Sequence, residues 1–150
     1  DIINEPIGRS PSDFRRRLAG RGARGELREA VTEYKVLKLG ELQMVQNSQS
    51  CALTGIPVGI LGHDNFAPSE VLKYSVLEVY PKTGRTHQIR VHMKFINAPI
   101  VCDKLYAPNN ICPIEFGRLM LHAKSIEFKT LNEQIVKVEA PLPEVFSKVL

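Results

Sequence analysis

The sequence holds only three cysteines, Cys51, Cys102 and Cys112. Their number is odd and no two form a CxxC pair, which argues against a disulfide framework and against a structural zinc site. That usage fits a reducing, cytoplasmic setting. No apolar run approaches the ~20 residues that a membrane-spanning helix needs. The opening Asp1-Ile2-Ile3-Asn4-Glu5 lacks the basic stretch and apolar core of a secretory signal, so none is expected there. The HExxH spacing of zinc hydrolases does not occur. No internal repeat or second domain is visible in the 150 residues, and one domain is the expectation.

What is present begins with 43% hydrophobic residues, enough to bury a core, and a net charge of +4. The charge is unevenly spread. Residues 1–30 hold seven arginines (9, 15, 16, 17, 21, 24 and 28) against five acids, and Lys82 to Lys94 contains four cations, two histidines and no acid. A polyanion partner and a solvated basic face explain this equally well. Residues 1–30, rich in Arg, Gly and Pro without apolar periodicity, read as an irregular basic arm. Val31–Leu39 reads as a strand that Gly40 ends, and Leu72–Tyr80 as a strand closed by Pro81. Between them, Leu42–Val45 is a possible strand and the rest of 41–73 a loop punctuated by glycine and proline. Strands are also expected at Ser125–Lys129 and Gln134–Glu139, with a terminal helix over Glu144–Leu150.

After the second strand comes a turn, Lys82-Thr83-Gly84-Arg85, and then a helix with Thr86 as N-cap. Asn97 suits its left-handed end and Pro99 blocks continuation. At about 100° per residue, Ile89, His92, Met93 and Ile96 share an arc of about 100°, while Val91 and Phe95 form a second apolar face. His87, Arg90 and Lys94 make a basic stripe suited to phosphates. His92, on an apolar face, is expected as a hydrogen-bonded core histidine. His87 is left between a structural partner and an RNA contact. Arg85 sits on a glycine turn between a strand end and a helix start. It reads either as an ordinary surface arginine or as a residue held rigidly enough to pair with a catalytic carboxylate.

The run Thr83-Gly84-Arg85-Thr86-His87-Gln88-Ile89-Arg90-Val91-His92 resembles the signature of the RluA family of RNA pseudouridine synthases. Ile7-Gly8-Arg9, Thr32-Glu33-Tyr34, Pro99–Tyr106 and Arg118–Ala123 resemble further family segments in the family's order. The resemblance implies an α+β fold, a mostly antiparallel mixed sheet flanked by helices, of which this chain is the C-terminal portion of one catalytic domain. It implies isomerisation of uridine to pseudouridine in rRNA or tRNA, without metal or cofactor. By resemblance Tyr34 stacks on the target base, Arg85 pairs with the nucleophilic aspartate and Leu121 lines the pocket. Arg9, Lys82, His87, Gln88, Arg90 and Lys94 are the expected RNA contacts. Two features depart from the family. The nucleophile's own motif is absent from these residues, so the chain alone is expected to be inactive, and a non-catalytic RNA-binding module with the same fold is the alternative. Residues 41–73 read as an insertion, and Cys102 stands where the family prefers glycine.

Overall fold

The computed structural model describes residues 1–43, 71–110, 112–113, 116–147 and 149–150. Two long strands form its spine: β5 (Val31–Gln43) and β6 (Val71–Pro81), paired antiparallel from Thr32↔Pro81 to Gln43↔Val71. The short β1 (Ile2–Asn4) pairs with the start of β5, completing a three-stranded sheet. Gly40 does not end β5 as the sequence suggested. It faces Tyr74 across the ribbon, and a Cβ there would collide with the Tyr74 ring, so the glycine lets the aromatic lie across the backbone while pairing continues. Leu42 and Gln43, the start of the expected Leu42–Val45 strand, thus belong to β5; its remainder and the rest of the expected insertion, 44–70, lie outside the described residues.

The arginine-rich start is likewise not irregular. β2 (Ile7–Arg9) lies between β3 (Arg17–Ala19) and β4 (Arg24–Arg28) in a second antiparallel sheet. Strands of three to five residues show little alternation, and an isolated sheet of this size is marginal. Tertiary anchors supply what local pattern lacks. Ile7 packs with Ala30, Val91 and Tyr106, and the Arg17 backbone N–H donates to the Tyr106 hydroxyl at 3.0 Å.

Helix α1 (Gln88–Phe95) packs on both sheets, and its last residue covers Gly20. Gly20 has φ +68°, and a Cβ there would lie 2.7 Å from the Phe95 ring, so conformation and packing both require glycine. The helix ends as expected, with Asn97 at φ +59°. It does not begin as expected: His87, at φ 57°, is the N-cap and makes no side-chain cap bond. A hairpin of β7 (Ser125–Lys129) and β8 (Ile135–Glu139) follows, and α2 is a single turn, Glu144–Ser147, shorter than the expected terminal helix. A second core gathers Cys102, Phe116 and Val149 against Tyr74 and Val76 of β6. Every strand pairing among the described residues is antiparallel, which gives the expected α+β class.

The cysteines correct the expectation drawn from their number. Cys102 and Cys112 are joined by a disulfide across a separation of 10 residues. Linear spacing gave no sign of it, because the pairing depends on the loop between them turning back on itself. Cys102 also adopts φ +62°, a region glycine enters freely, which is the physical sense of the family's glycine there. Breaking the bridge, by reductant or by Cys112→Ser, is expected to lower stability by about 2–3 kcal/mol, the chain-entropy value for so short a loop. Urea unfolding with and without reductant checks this, and the substituted protein should no longer respond to reductant.

Candidate active site

The turn before α1 is held by a connected polar spine. The Val31 backbone N–H donates to Thr83 Oγ1 at 3.0 Å, and the Thr83 hydroxyl donates to Gln88 Oε1 at 2.7 Å. Gln88 Oε1 also accepts from the Arg85 backbone N–H at 3.0 Å. From the other end of the amide, Gln88 Nε2 donates to Val31 O and to Thr32 Oγ1, both at 3.0 Å. Thr32 in turn meets His92 Nδ1 at 2.7 Å, and His92 Nε2 lies 2.9 Å from the Glu5 carbonyl. A carbonyl only accepts, so Nε2 carries the proton and Nδ1 receives the threonine hydroxyl's. Burial lowers the His92 pKa and keeps the ring neutral. Thr32, Gln88 and His92 are all buried. The spine thus ties β5, the turn, α1 and the β1–β2 connection together, and confirms His92 as a core histidine.

A second constellation lies beside it. Arg90 grips Asp103 in a two-pronged pair, Nε to Oδ2 at 2.8 Å and NH2 to Oδ1 at 2.7 Å. Asp103 Oδ1 also accepts from the backbone N–H groups of Leu105 and Tyr106. Burial opposes ionisation of this carboxylate, yet the Arg90 hydrogen bond and the backbone donors outweigh it and hold its pKa below the usual value. Tyr106 lies under the Arg90 guanidinium, 4.9 Å from its ring centre, and its hydroxyl meets His87 Nδ1 at 3.0 Å. Burial first, and the Arg90 charge second, lower the His87 pKa.

These contacts redistribute the residues singled out by sequence. Gln88 and Arg90, expected as RNA contacts, are committed to the interior: one carries the spine, and the other neutralises Asp103. Helical angle alone placed Arg90 on a basic stripe; it could not show the acid folded against it from the following loop. His87 is tied to Tyr106. Lys82 is exposed and pairs with Glu33 at 2.8 Å. Arg9 and Lys94 are exposed, with no acid partner among the described residues. The missed residues Thr83 and Tyr106 did carry a signal, since each lies within a motif segment, but only as part of a pattern.

Arg85 remains accessible. Its Nε donates to the Glu29 carbonyl at 2.9 Å and its backbone N–H is held by Gln88, while its terminal guanidinium nitrogens make no hydrogen bond among the described residues. A cation fixed at its base and free at its tip can ionise and aim a carboxylate. Tyr34 is partly buried on β5, and its hydroxyl donates to Asp1 Oδ2 at 3.2 Å. Leu121 lines an apolar cavity of about 820 Å³ together with Val76, Val79, Ile89 and Met93. Neither Tyr34 nor Arg85 lines that cavity.

The chain is similar to several RNA pseudouridine synthases. It is 49% identical over 61 residues to an RNA pseudouridine synthase of Helicobacter pylori, covering 40% of this chain and 19% of that protein. A Bacillus subtilis RNA pseudouridine synthase is 40% identical over 78 residues, 51% of this chain and 25% of the relative. Ribosomal large subunit pseudouridine synthase C of Buchnera aphidicola is 39% identical over 84 residues, covering 52% and 27% respectively. The chain therefore spans only about a fifth to a quarter of the length of these relatives. The family described as RNA pseudouridylate synthase matches residues 2–95, across the β1–β6 sheets and α1. The match takes in the turn before α1 and every residue of the polar spine, and the chain belongs to the RNA pseudouridylate synthase family.

Proposed function

We propose that this chain is the C-terminal part of the catalytic domain of a synthase that isomerises uridine to pseudouridine in RNA. The observation that carries the reading is Arg85, rigidly seated by Gln88 and Glu29 with the tip of its guanidinium making no hydrogen bond among the described residues. In the assembled enzyme it holds the nucleophilic aspartate, supplied by a preceding segment, ionised and aimed. Tyr34 receives the extruded base and Leu121 contributes an apolar wall. Ribosomal RNA is the favoured substrate, because a relative carries a ribosomal large subunit name; transfer RNA is the alternative substrate. The exposed apolar residues Leu39, Ile126 and Ile135 suit surfaces covered by the remainder of such a domain.

The test uses a protein that includes the preceding nucleophile segment, with tritium release from ribosomal RNA labelled at uridine C5. Release is expected from that protein and not from the 150 residues alone. Arg85→Ala is expected to reduce the rate by about 10²–10³-fold, the scale of losing one preorganised electrostatic contact. Its melting temperature should stay unchanged. No release from ribosomal or transfer RNA would sink the synthase reading, and retained RNA binding in that case would favour a non-catalytic module.

A further inference from the structure

The loop joining β2 to β3 is short, ordered and aromatic at its tip. Phe14 is 88% exposed there. Water-exposed phenylalanine is unfavourable by roughly 1.5–3 kcal/mol relative to burial, and this one is not left loose. The Ser10 and Arg16 backbones close the loop at 3.2 Å, and the Arg16 N–H donates to the Asp13 carbonyl at 3.0 Å. Asp13 accepts the Arg15 backbone N–H and two N–H groups, Nε and Nη2, from one edge of its guanidinium, at 2.9 to 3.1 Å. Arg17 reaches back to the Phe14 carbonyl at 3.2 Å. The base of the loop rests on Tyr106, through the Arg17 N–H on its hydroxyl and Arg16 over its ring at 5.7 Å.

The surroundings of Phe14 decide what it suits. It is followed in the chain by Arg15, Arg16 and Arg17, and the adjoining strands add the exposed Arg9 and Arg24. A cationic rim around one bare ring is a poor match for an apolar protein groove. It is a good match for an unpaired nucleotide, which offers a π-face and a phosphate together. A paired base has both faces occupied by the stack and offers no place for the ring. We propose that Phe14 is a stacking platform for an unpaired RNA base, and that the exposed Arg9 and Arg24 of the adjoining strands hold the flanking phosphates, so that this loop positions RNA for the reaction. The proposal rests on the RNA reading given above and adds to it a residue and the conformation of RNA it selects.

The sequence contains no tryptophan, so Phe14→Trp places a single fluorescent reporter at the tip. The probes are an RNA hairpin with an unpaired loop and a fully paired RNA duplex of equal length. The indole fluorescence of the Phe14→Trp variant is expected to be quenched by the hairpin and not by the duplex. Phe14→Ala should weaken hairpin binding about tenfold, as for one lost stacked base, leave the salt slope unchanged, and leave the melting temperature unchanged. Arg9→Ala, by contrast, should reduce the salt slope by about one. Wild-type affinity in Phe14→Ala, an unquenched tryptophan, or equal effects on hairpin and duplex would each overturn the platform while leaving RNA binding intact. A fall in melting temperature in Phe14→Ala would assign the ring a structural role instead. Failure of the unsubstituted chain to bind either RNA would overturn this proposal together with RNA binding by these residues.

Discussion

Arg90→Ala is expected to destabilise the fold by about 3–5 kcal/mol, the cost of leaving a buried charge without its partner. The partner, Asp103, has a side chain only 1% exposed, against 18% for Arg90. Its carboxylate is also the acceptor for two backbone N–H groups that shape the turn holding Tyr106. Loss of the guanidinium therefore strands the acid and removes the cation over the Tyr106 ring at once. Replacing the acid is informative in a different way. Asp103→Leu with Arg90→Leu removes the charges but leaves the Leu105 and Tyr106 N–H groups unpaired, so the double variant should recover only part of the loss. The pair also has a pH signature. The folded-state pKa of Asp103 is lowered, so its stabilisation is complete above the unfolded value near 3.8 and is lost as pH falls through the folded value. Urea midpoints of the single and double variants at neutral pH, and of the parent chain below about pH 4, check both points. A wild-type midpoint for Arg90→Ala would show that the pair is dispensable.

The second large effect is expected at Gln88. Gln88→Leu keeps most of the volume but removes the groups that meet Thr83, the Arg85 backbone, Val31 and Thr32. Four partners, of which Thr32 is buried, lose a bond together, and at about 1 kcal/mol each the loss is about 4 kcal/mol. Because the Arg85 backbone is one of the four, a partly folded Gln88 variant of the protein that includes the nucleophile segment should also lose the proposed synthase activity beyond its loss of folded protein. The same spine sets a response to mild acid through His92. Its folded-state pKa is lowered by burial, so the unfolded chain takes up a proton first. Stability is full above the unfolded value of 6.5 and declines as pH falls from there toward the folded value. Unfolding midpoints between about pH 8 and pH 5 should show this decline. His92→Gln should flatten it, leaving the share contributed by His87, whose pKa is lowered in the same sense.

The signature run illustrates how far residue patterns reach. Helical angle placed His92 among apolar residues, and it is buried there with both ring nitrogens satisfied. Asn97 and Pro99 marked the helix end because backbone conformation is a local property. The strands Leu72–Tyr80 and Ser125–Lys129 were legible for the same reason. The N-terminal sheet was not, since its short strands depend on Ile7, Tyr106 and α1 and carry no pattern of their own. Gly40 misled because a glycine reads as a strand end until the Tyr74 ring facing it is known.

By itself the sequence determined the family, the α+β class, the helix after the turn and the position of Arg85 on that turn, because these follow from local spacing and motif. Only the tertiary structure decided which basic residues are free. Arg90 looks no different from Lys94 along the chain, yet Asp103 draws the first inward while the second stays exposed. The structure also decided that Cys102 and Cys112 meet and that Phe14 does not pack. The physical reason is common to all of these. Charge neutralisation, disulfide pairing and burial depend on which side chains come within a few ångströms, and distant segments of the chain supply those neighbours.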